Sequence, residues 1–252
     1  MSTAGTQTEW HPAYETGQSA EGELLRPGGL ELTARAIGCC HLSPGARVLD
    51  IGCGAGASAL YMRRAHGFEV VGLDLAAASL HSKSERIRGV GLVAASARRL
   101  PIATSSMDAV FAECSLSLMD ARDEVLAECF RVLAAQGRLA ITDMFARNPH
   151  ALGNLRTVGD IRVSGMISCA ELEAQLAQAG FLVEFWEDHT PALKQLLFRC
   201  LMKGSDLEQL WTQKCTTKEE SGRVKEAMKH VRPGYFLLVA SKRGHRNRFD
   251  ER

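Results

Sequence analysis

Three glycines alternate through VLDIGCGAGASAL (48–60), and an aspartate stands two residues ahead of the first. Gly52, Gly54 and Gly56 permit a tight turn from strand to helix. They also let a ligand lie directly against backbone, because a side chain at any of them would obstruct the approach. Dinucleotide binders space such glycines as G-x-G-x-x-G and rest a pyrophosphate on the helix N-terminus. Here the pattern is D-x-G-x-G-x-G. The Asp50 carboxylate repels a pyrophosphate and attracts an ammonium group. A second apolar run ends at Asp74, where an acidic side chain accepts hydrogen bonds from both hydroxyls of a ribose. These residues ask for a ligand with a ribose, a cationic amine and no phosphate.

The elements that must position them alternate between two periods. Strand-like runs occur at RVLDI (47–51), EVVGLD (69–74), VGLVAA (90–95), MDAVFAE (107–113), GRLAITDM (137–144), FLVEFWED (181–188) and YFLLVAS (235–241). Helical patterns fall between them at about 56–66, 76–88, 121–133 and 169–179. Ser168, Glu171 and Gly180 punctuate the last of these as N-cap, capping-box partner and terminator. The alternation predicts an α/β fold, a doubly wound Rossmann-like sheet covered on both faces. Residues 1–45 form an N-terminal lid and helix in this reading. Residues 46–241 form the main domain, with a helical insertion at 190–233 over the sheet's working edge, and 242–252 a basic, solvated tail.

Composition narrows the partners. The 252 residues carry 30 basic and 29 acidic side chains, so no overall field favours a polyanion, and neither nucleic acid nor an anionic membrane is expected. No run approaches the roughly 18 apolar residues of a membrane helix, and the N-terminus does not read as a secretory signal, which points to a cytoplasmic protein. Eight cysteines in a chain of this length are too sparse for a disulfide scaffold. With no CxxC pair and no His/Cys grouping at zinc spacing, no metal is expected.

S-adenosylmethionine has the ribose, the amine and no phosphate. VLDIGCGAG, VVGLD, RRLPIATSSMDAVFAECSLSLM and ECFRVLAAQGRLAITD, in that order, resemble the class I S-adenosylmethionine-dependent methyltransferases. The likeness spans about residues 27–188 and the final strand. It is nearest the small-molecule branch that includes the ubiquinone-biosynthesis and arsenite methyltransferases. The resemblance implies a seven-stranded sheet, mostly parallel with an antiparallel last strand, and the cofactor across the carboxyl ends of the first strands. It implies that Gly52, Cys53, Gly54 and Gly56 line the methionine and ribose, that Asp74 holds the ribose hydroxyls and that Leu75 packs on adenine. Many relatives carry an aspartate for the adenine amine where Ser96 stands here, which leaves that contact to the Ser96 hydroxyl or the Ala97 backbone. Glu113 falls where the fourth strand faces the sulfonium methyl. The segment EGELLRPGGLELTAR (21–35) is similar to a helix that closes over the cofactor, with Arg26 and the amides near Gly28 and Gly29 placed for the methionine carboxylate.

Methyl transfer needs alignment of a nucleophile with the methyl and exclusion of water, and no nucleophile on the enzyme. A general base is required only for a poorly acidic hydroxyl or a protonated amine. Glu113, Cys114 and Asp143 are the catalytic candidates, with Ser115 and Arg147 beside them, although an aspartate at 143 equally suits the capping of a turn. Arsenite methyltransferases use several thiolates, and Cys39, Cys40, Cys114, Cys169, Cys200 and Cys215 invite the comparison. The cysteine those enzymes carry before their counterpart of Gly165-Met166-Ile167 is missing. The loop ECSLSLM lacks the N/D-P-P-Y/F signature of enzymes that stack a flipped base. Leu196, Leu197, Phe198, Leu201, Met202 and Trp211 supply apolar surface that either roofs a pocket or packs on the sheet. A methyltransferase acting on a small-molecule acceptor leads. The alternatives are an arsenite or thiol methyltransferase, a non-catalytic cofactor-binding regulator, and aminopropyl transfer from the decarboxylated cofactor, which would give Arg26 no carboxylate to meet.

Overall fold

The computed structural model describes residues 26–75, 89–119, 121–152, 165–202 and 218–243. The helical pattern at 76–88, Trp211, Cys215, residues 1–25 and most of the tail at 242–252 lie outside these ranges. Seven strands form one sheet: β1 (Arg47–Ile51), β2 (Glu69–Asp74), β3 (Gly91–Ala94), β4 (Met107–Glu113), β5 (Leu133–Ala146), β6 (Phe181–Asp188) and β7 (Pro233–Lys242). Their order is β3-β2-β1-β4-β5-β7-β6. β1 to β5 pair in parallel, and β7 runs antiparallel between β5 and β6.

Each expected strand is present, and β5 differs most in length. It starts directly after the preceding helix and extends to Ala146, because β7 pairs with it as far as Ala146↔Pro233. The order in which strands are added changes side between β1 and β4, so the crevice outside their carboxyl ends is the topological switch point at which ligands of open α/β sheets bind.

Helices α1 (Gly29–Cys40), α2 (Ala57–His66) and α5 (Thr190–Met202) cover one face, and α3 (Arg122–Val132) and α4 (Cys169–Gln178) the other. A further helix, α6 (Lys218–Val231), packs Ala227, Met228 and Val231 against Ala151 and Leu152. Strand periodicity sorts the core. Leu49, Ile51 and Val110 face α3 and α4, whereas Val48 and Phe111 face α1 and α2. That alternation also places Asp50 and Glu113, two residues beyond Val48 and Phe111, on the α1/α2 side.

The helix ends follow their local chemistry. Ser168 caps α4 through a complete capping box: its hydroxyl accepts from the Glu171 amide at 3.2 Å, and the Glu171 carboxylate accepts from the Ser168 amide at 2.8 Å. Gly56 precedes α2 at φ 76°, a left-handed conformation that opens the first turn of the helix toward the crevice. In α5, Leu193 and Leu196 are buried against the sheet, while Phe198 and Met202 are exposed at 61% and 72%. This helix therefore packs Leu193 and Leu196 inward and turns Phe198 and Met202 to solvent.

Candidate active site

The residues singled out by type converge on the carboxyl ends of β1, β2 and β4. At the end of β1 the backbone passes through Gly52 and Gly54 at φ 72° and 51°. A Cβ on Gly52 would stand 2.5 Å from the Cβ of Ser115, so only glycine allows the glycine turn and the β4 exit to touch. The Gly54 amide donates to the Asp74 carboxylate at 2.9 Å, which ties the glycine turn to the end of β2. Leu75, next in sequence, is 76% exposed, an apolar platform at the crevice edge. Ser96 lies in the turn after β3, where its hydroxyl accepts from the Arg98 amide at 3.3 Å, and Ala97 is buried.

Arg26 enters this site from the segment before α1 and is buried. Its Nη1 lies 3.0 Å from Glu113 Oε1, and its Nη2 donates to Thr33 Oγ1 and, at 3.1 Å, to Ser58 Oγ. Thr33 Oγ1 in turn donates to Glu113 Oε2 at 3.3 Å. Burial works against the Arg26 charge. Burial is the largest single effect, but Glu113, Tyr235, Asp50 and Cys114 together outweigh it, and the guanidinium is held above its ordinary pKa.

Asp50 is buried beneath this pair, and its carboxyl is pushed up to about 8 by burial first and by the Glu113 charge second, with Arg26 opposing. Asp50 Oδ2, Arg26 Nε and Arg26 Nη1 are buried without a hydrogen-bond partner among the described residues. The Nη1 to Oε1 approach is thus a charge contact whose angle does not make a hydrogen bond. Each orphaned atom costs about 1–3 kcal/mol, which a ligand with matching charges would recover. An ammonium suits Asp50 and a carboxylate suits Arg26. α1 has no side-chain N-cap, so its first turn also presents amide donors near that guanidinium.

The other candidates are placed differently. Cys114 follows Glu113 in the left-handed region at φ 54°, with its amide on the Thr142 carbonyl. Asp143 is buried in the last part of β5, three residues before its end, with its oxygens accepting from the Ser117 amide, the Ser117 hydroxyl and the Met144 amide. Arg147 pairs with Asp188 and donates to Thr190 Oγ1 at 2.9 Å, beyond the end of β5. Cys40 and Cys129 are buried in the two cores, and burial pushes both thiols up to about 12. Burial also raises the Cys53 thiol, which lies against Gly72. Thr33, Ser58 and Ser117 escaped the sequence reading because small hydroxyl residues carry no pattern until their partners are known.

A family model described as "Methyltransferase domain" matches residues 49–141, the span from β1 to the middle of β5. O-methyltransferase resE of Aspergillus sclerotiorum is 30% identical over 223 residues, 81% of this chain and 81% of that protein. The chain belongs to the class I S-adenosylmethionine-dependent methyltransferases. The 27-O-demethylrifamycin SV methyltransferase of Amycolatopsis mediterranei is 29% identical over 92% of this chain and 89% of its own length. Among solved structures, the [4+2]-cyclase SpnF superposes with a TM-score of 0.66 at 23% identity, covering 85% of this chain and 81% of the cyclase. Geranyl diphosphate C-methyltransferase from Streptomyces coelicolor gives 0.67 at 17% identity over 84% and 80% of the two chains. Likenesses at that level establish the fold of this methyltransferase alone. Among the described residues no helix is long and apolar enough to cross a membrane, and no cluster of metal-ligating side chains occurs.

Proposed function

We propose that this methyltransferase methylates an acidic hydroxyl, a phenol, enol or similar group, on a small organic molecule. In this reading S-adenosylmethionine lies with its amino-acid end between Arg26 and Asp50, and the orphaned buried atoms of those two residues at the switch point carry the assignment. Gly52, Cys53, Gly54 and Gly56 line the cofactor backbone, and Asp74 takes the ribose hydroxyls. Leu75 packs on adenine, and Ser96 and Ala97 meet its polar edge. Names such as O-methyltransferase resE and 27-O-demethylrifamycin SV methyltransferase support an oxygen acceptor on a small molecule. Free thiols at Cys39, Cys40, Cys53, Cys114, Cys129 and Cys169 suit a reducing, cytoplasmic setting.

The cofactor supplies a methyl already activated on a sulfonium. What remains for the chain is to hold, align and keep water out. Arg26, Thr33 and Ser58 brace Glu113 on the wall facing the reacting centre, and the bent exit at Cys114 and Ser115 closes that wall from below. When the bond from acceptor oxygen to methyl forms and the bond from sulfur to methyl breaks, one proton must leave the acceptor. Glu113 is committed to Arg26, and the oxygens of Asp143 to Ser117 and Met144. An acceptor acidic enough to ionise without a strong base fits that inventory better than an alkanol or an ammonium.

Calorimetric titration with S-adenosylmethionine and S-adenosylhomocysteine tests the cofactor site, and turnover on a panel of phenols, enols, alkanols, thiols and arsenite tests the acceptor. Formation of S-adenosylhomocysteine only with the acidic hydroxyls supports the proposal. Turnover confined to thiols or arsenite would replace it with the sulfur or arsenic reading. Absence of binding would remove the cofactor assignment.

A further inference from the structure

The turn after β4, Cys114 to Leu118, is gripped from three sides. Toward β1, the Ser115 hydroxyl donates to the Ile51 carbonyl at 2.9 Å, and the missing side chain of Gly52 leaves room for the contact. Toward β5, the Asp143 carboxylate receives the Ser117 amide and hydroxyl, each at 2.7 Å. From the opposite side the backbone at Gly165 presses so closely that a Cβ there would overlap the Ser117 carbonyl, and Arg122 locks the position by donating to the Gly165 carbonyl. Cys114 keeps its left-handed conformation, costly for a residue with a side chain, because neighbours over-determine it.

We infer that Asp143 is a positioning residue for methyl transfer, acting through Ser117 to hold the Cys114–Leu118 turn as a rigid shelf beside Glu113. Two hydrogen bonds from one residue to one buried carboxylate are more than a loose surface turn requires. With the Met144 amide they fill both acceptor positions of Oδ1 and one of the two on Oδ2. The shelf joins the glycine turn, Glu113 and the Gly165 segment, so its placement sets where the acceptor oxygen can stand relative to the cofactor. This rests on the proposed function for the reaction itself, but the coupling of Asp143 to Ser117 stands on geometry alone.

The experiment compares Asp143→Asn, Ser117→Ala, their double variant and Ser117→Thr with the native chain. Hydrogen exchange of the peptide covering the turn is measured with S-adenosylhomocysteine present, calorimetry gives its Kd, and kinetics use the best acceptor of the hydroxyl panel. Both single variants are expected to raise exchange of the Ser117–Met119 amides about tenfold, as a locally opened turn does, and the double variant no further. Ser117→Thr, which keeps the hydroxyl, should match the native chain. The Kd should change less than about threefold, while kcat falls tenfold or more, toward the roughly 100-fold that a displacement of ~1 Å costs. The acid limb of the pH profile should stay in place. Unchanged exchange in both variants would overturn the inference. So would loss of the acid limb in Asp143→Asn alone with Ser117→Ala at native rates, which would make Asp143 the base. Failure of the native chain to bind S-adenosylhomocysteine would count against the cofactor reading, and the exchange comparison without it would still decide the coupling.

Discussion

The guanidinium of Arg26 lies 3.0 Å from the carboxylate of Glu113, and both side chains are almost wholly buried, at 9% and 3% exposure. A charge pair in that setting binds the segment before α1 to the end of β4. Removing one partner leaves the other stranded, whereas removing both does not.

Arg26→Ala should therefore destabilise the protein by about 3–5 kcal/mol, read as a shift of the urea midpoint at constant slope. Arg26→Met combined with Glu113→Leu should recover most of that loss while binding of S-adenosylhomocysteine stays abolished. A native midpoint in Arg26→Ala would mean that Glu113 finds water when its partner is gone.

Asp74 holds the Gly54 amide through one oxygen. Asp74→Ala should cost about 1.5–3 kcal/mol of cofactor affinity, on the scale of hydrogen bonds to a charged group, with Asp74→Asn between it and the native value. Calorimetry settles the point. An unchanged Kd would strip the residue of its ribose role.

Gly52→Ala meets two obstacles at once, a left-handed φ of 72° and a Cβ 2.5 Å from that of Ser115. Overpacking of this kind costs about 1–3 kcal/mol, and because the clash pushes the glycine turn off the β4 exit, cofactor affinity should fall with stability. Gly54→Ala has the left-handed φ without a neighbouring atom within 4 Å, so it should be the milder variant in thermal unfolding. Equal losses at both positions would show that backbone strain, not the contact with Ser115, limits the turn.

The Asp50 carboxyl keeps its proton in the folded state up to about 8, with Glu113, Asp74 and Arg26 as the charges around it. In the unfolded chain the same group ionises near its ordinary value of about 3.9. Between those values the native state binds more protons. The contribution of Asp50 to stability is thus fully present below about pH 4 and lost as pH rises through about 8. Thermal unfolding of the ligand-free protein should decline across that window more steeply than that of Asp50→Asn. A bound ammonium rewards the ionised carboxylate, so binding near neutrality should release a proton, seen as a dependence of the calorimetric heat on the buffer's ionisation enthalpy. Parallel stability curves for the two proteins would show that Asp50 is already ionised.

What the sequence by itself determined is whatever depends on neighbours along the chain. Short apolar runs mark each of the seven strands, the D-x-G-x-G-x-G spacing marks the ligand turn, and Ser168 with Glu171 marks the start of α4, because strands, tight turns and caps are built from residues a few positions apart. The cofactor class follows from Asp50 and Asp74, whose chemistry is legible once the glycines say that a ligand lies against backbone. Only the tertiary structure decided what the long-range partners do. It drew Arg26 away from water onto Glu113, gave the Asp143 oxygens to Ser117, set Ser115 against Gly52 and turned Phe198 outward. Those outcomes depend on strand order and on the angle at which helices cross the sheet. A carboxylate at a strand end looks the same in sequence whether an arginine, a turn amide or a substrate comes to meet it.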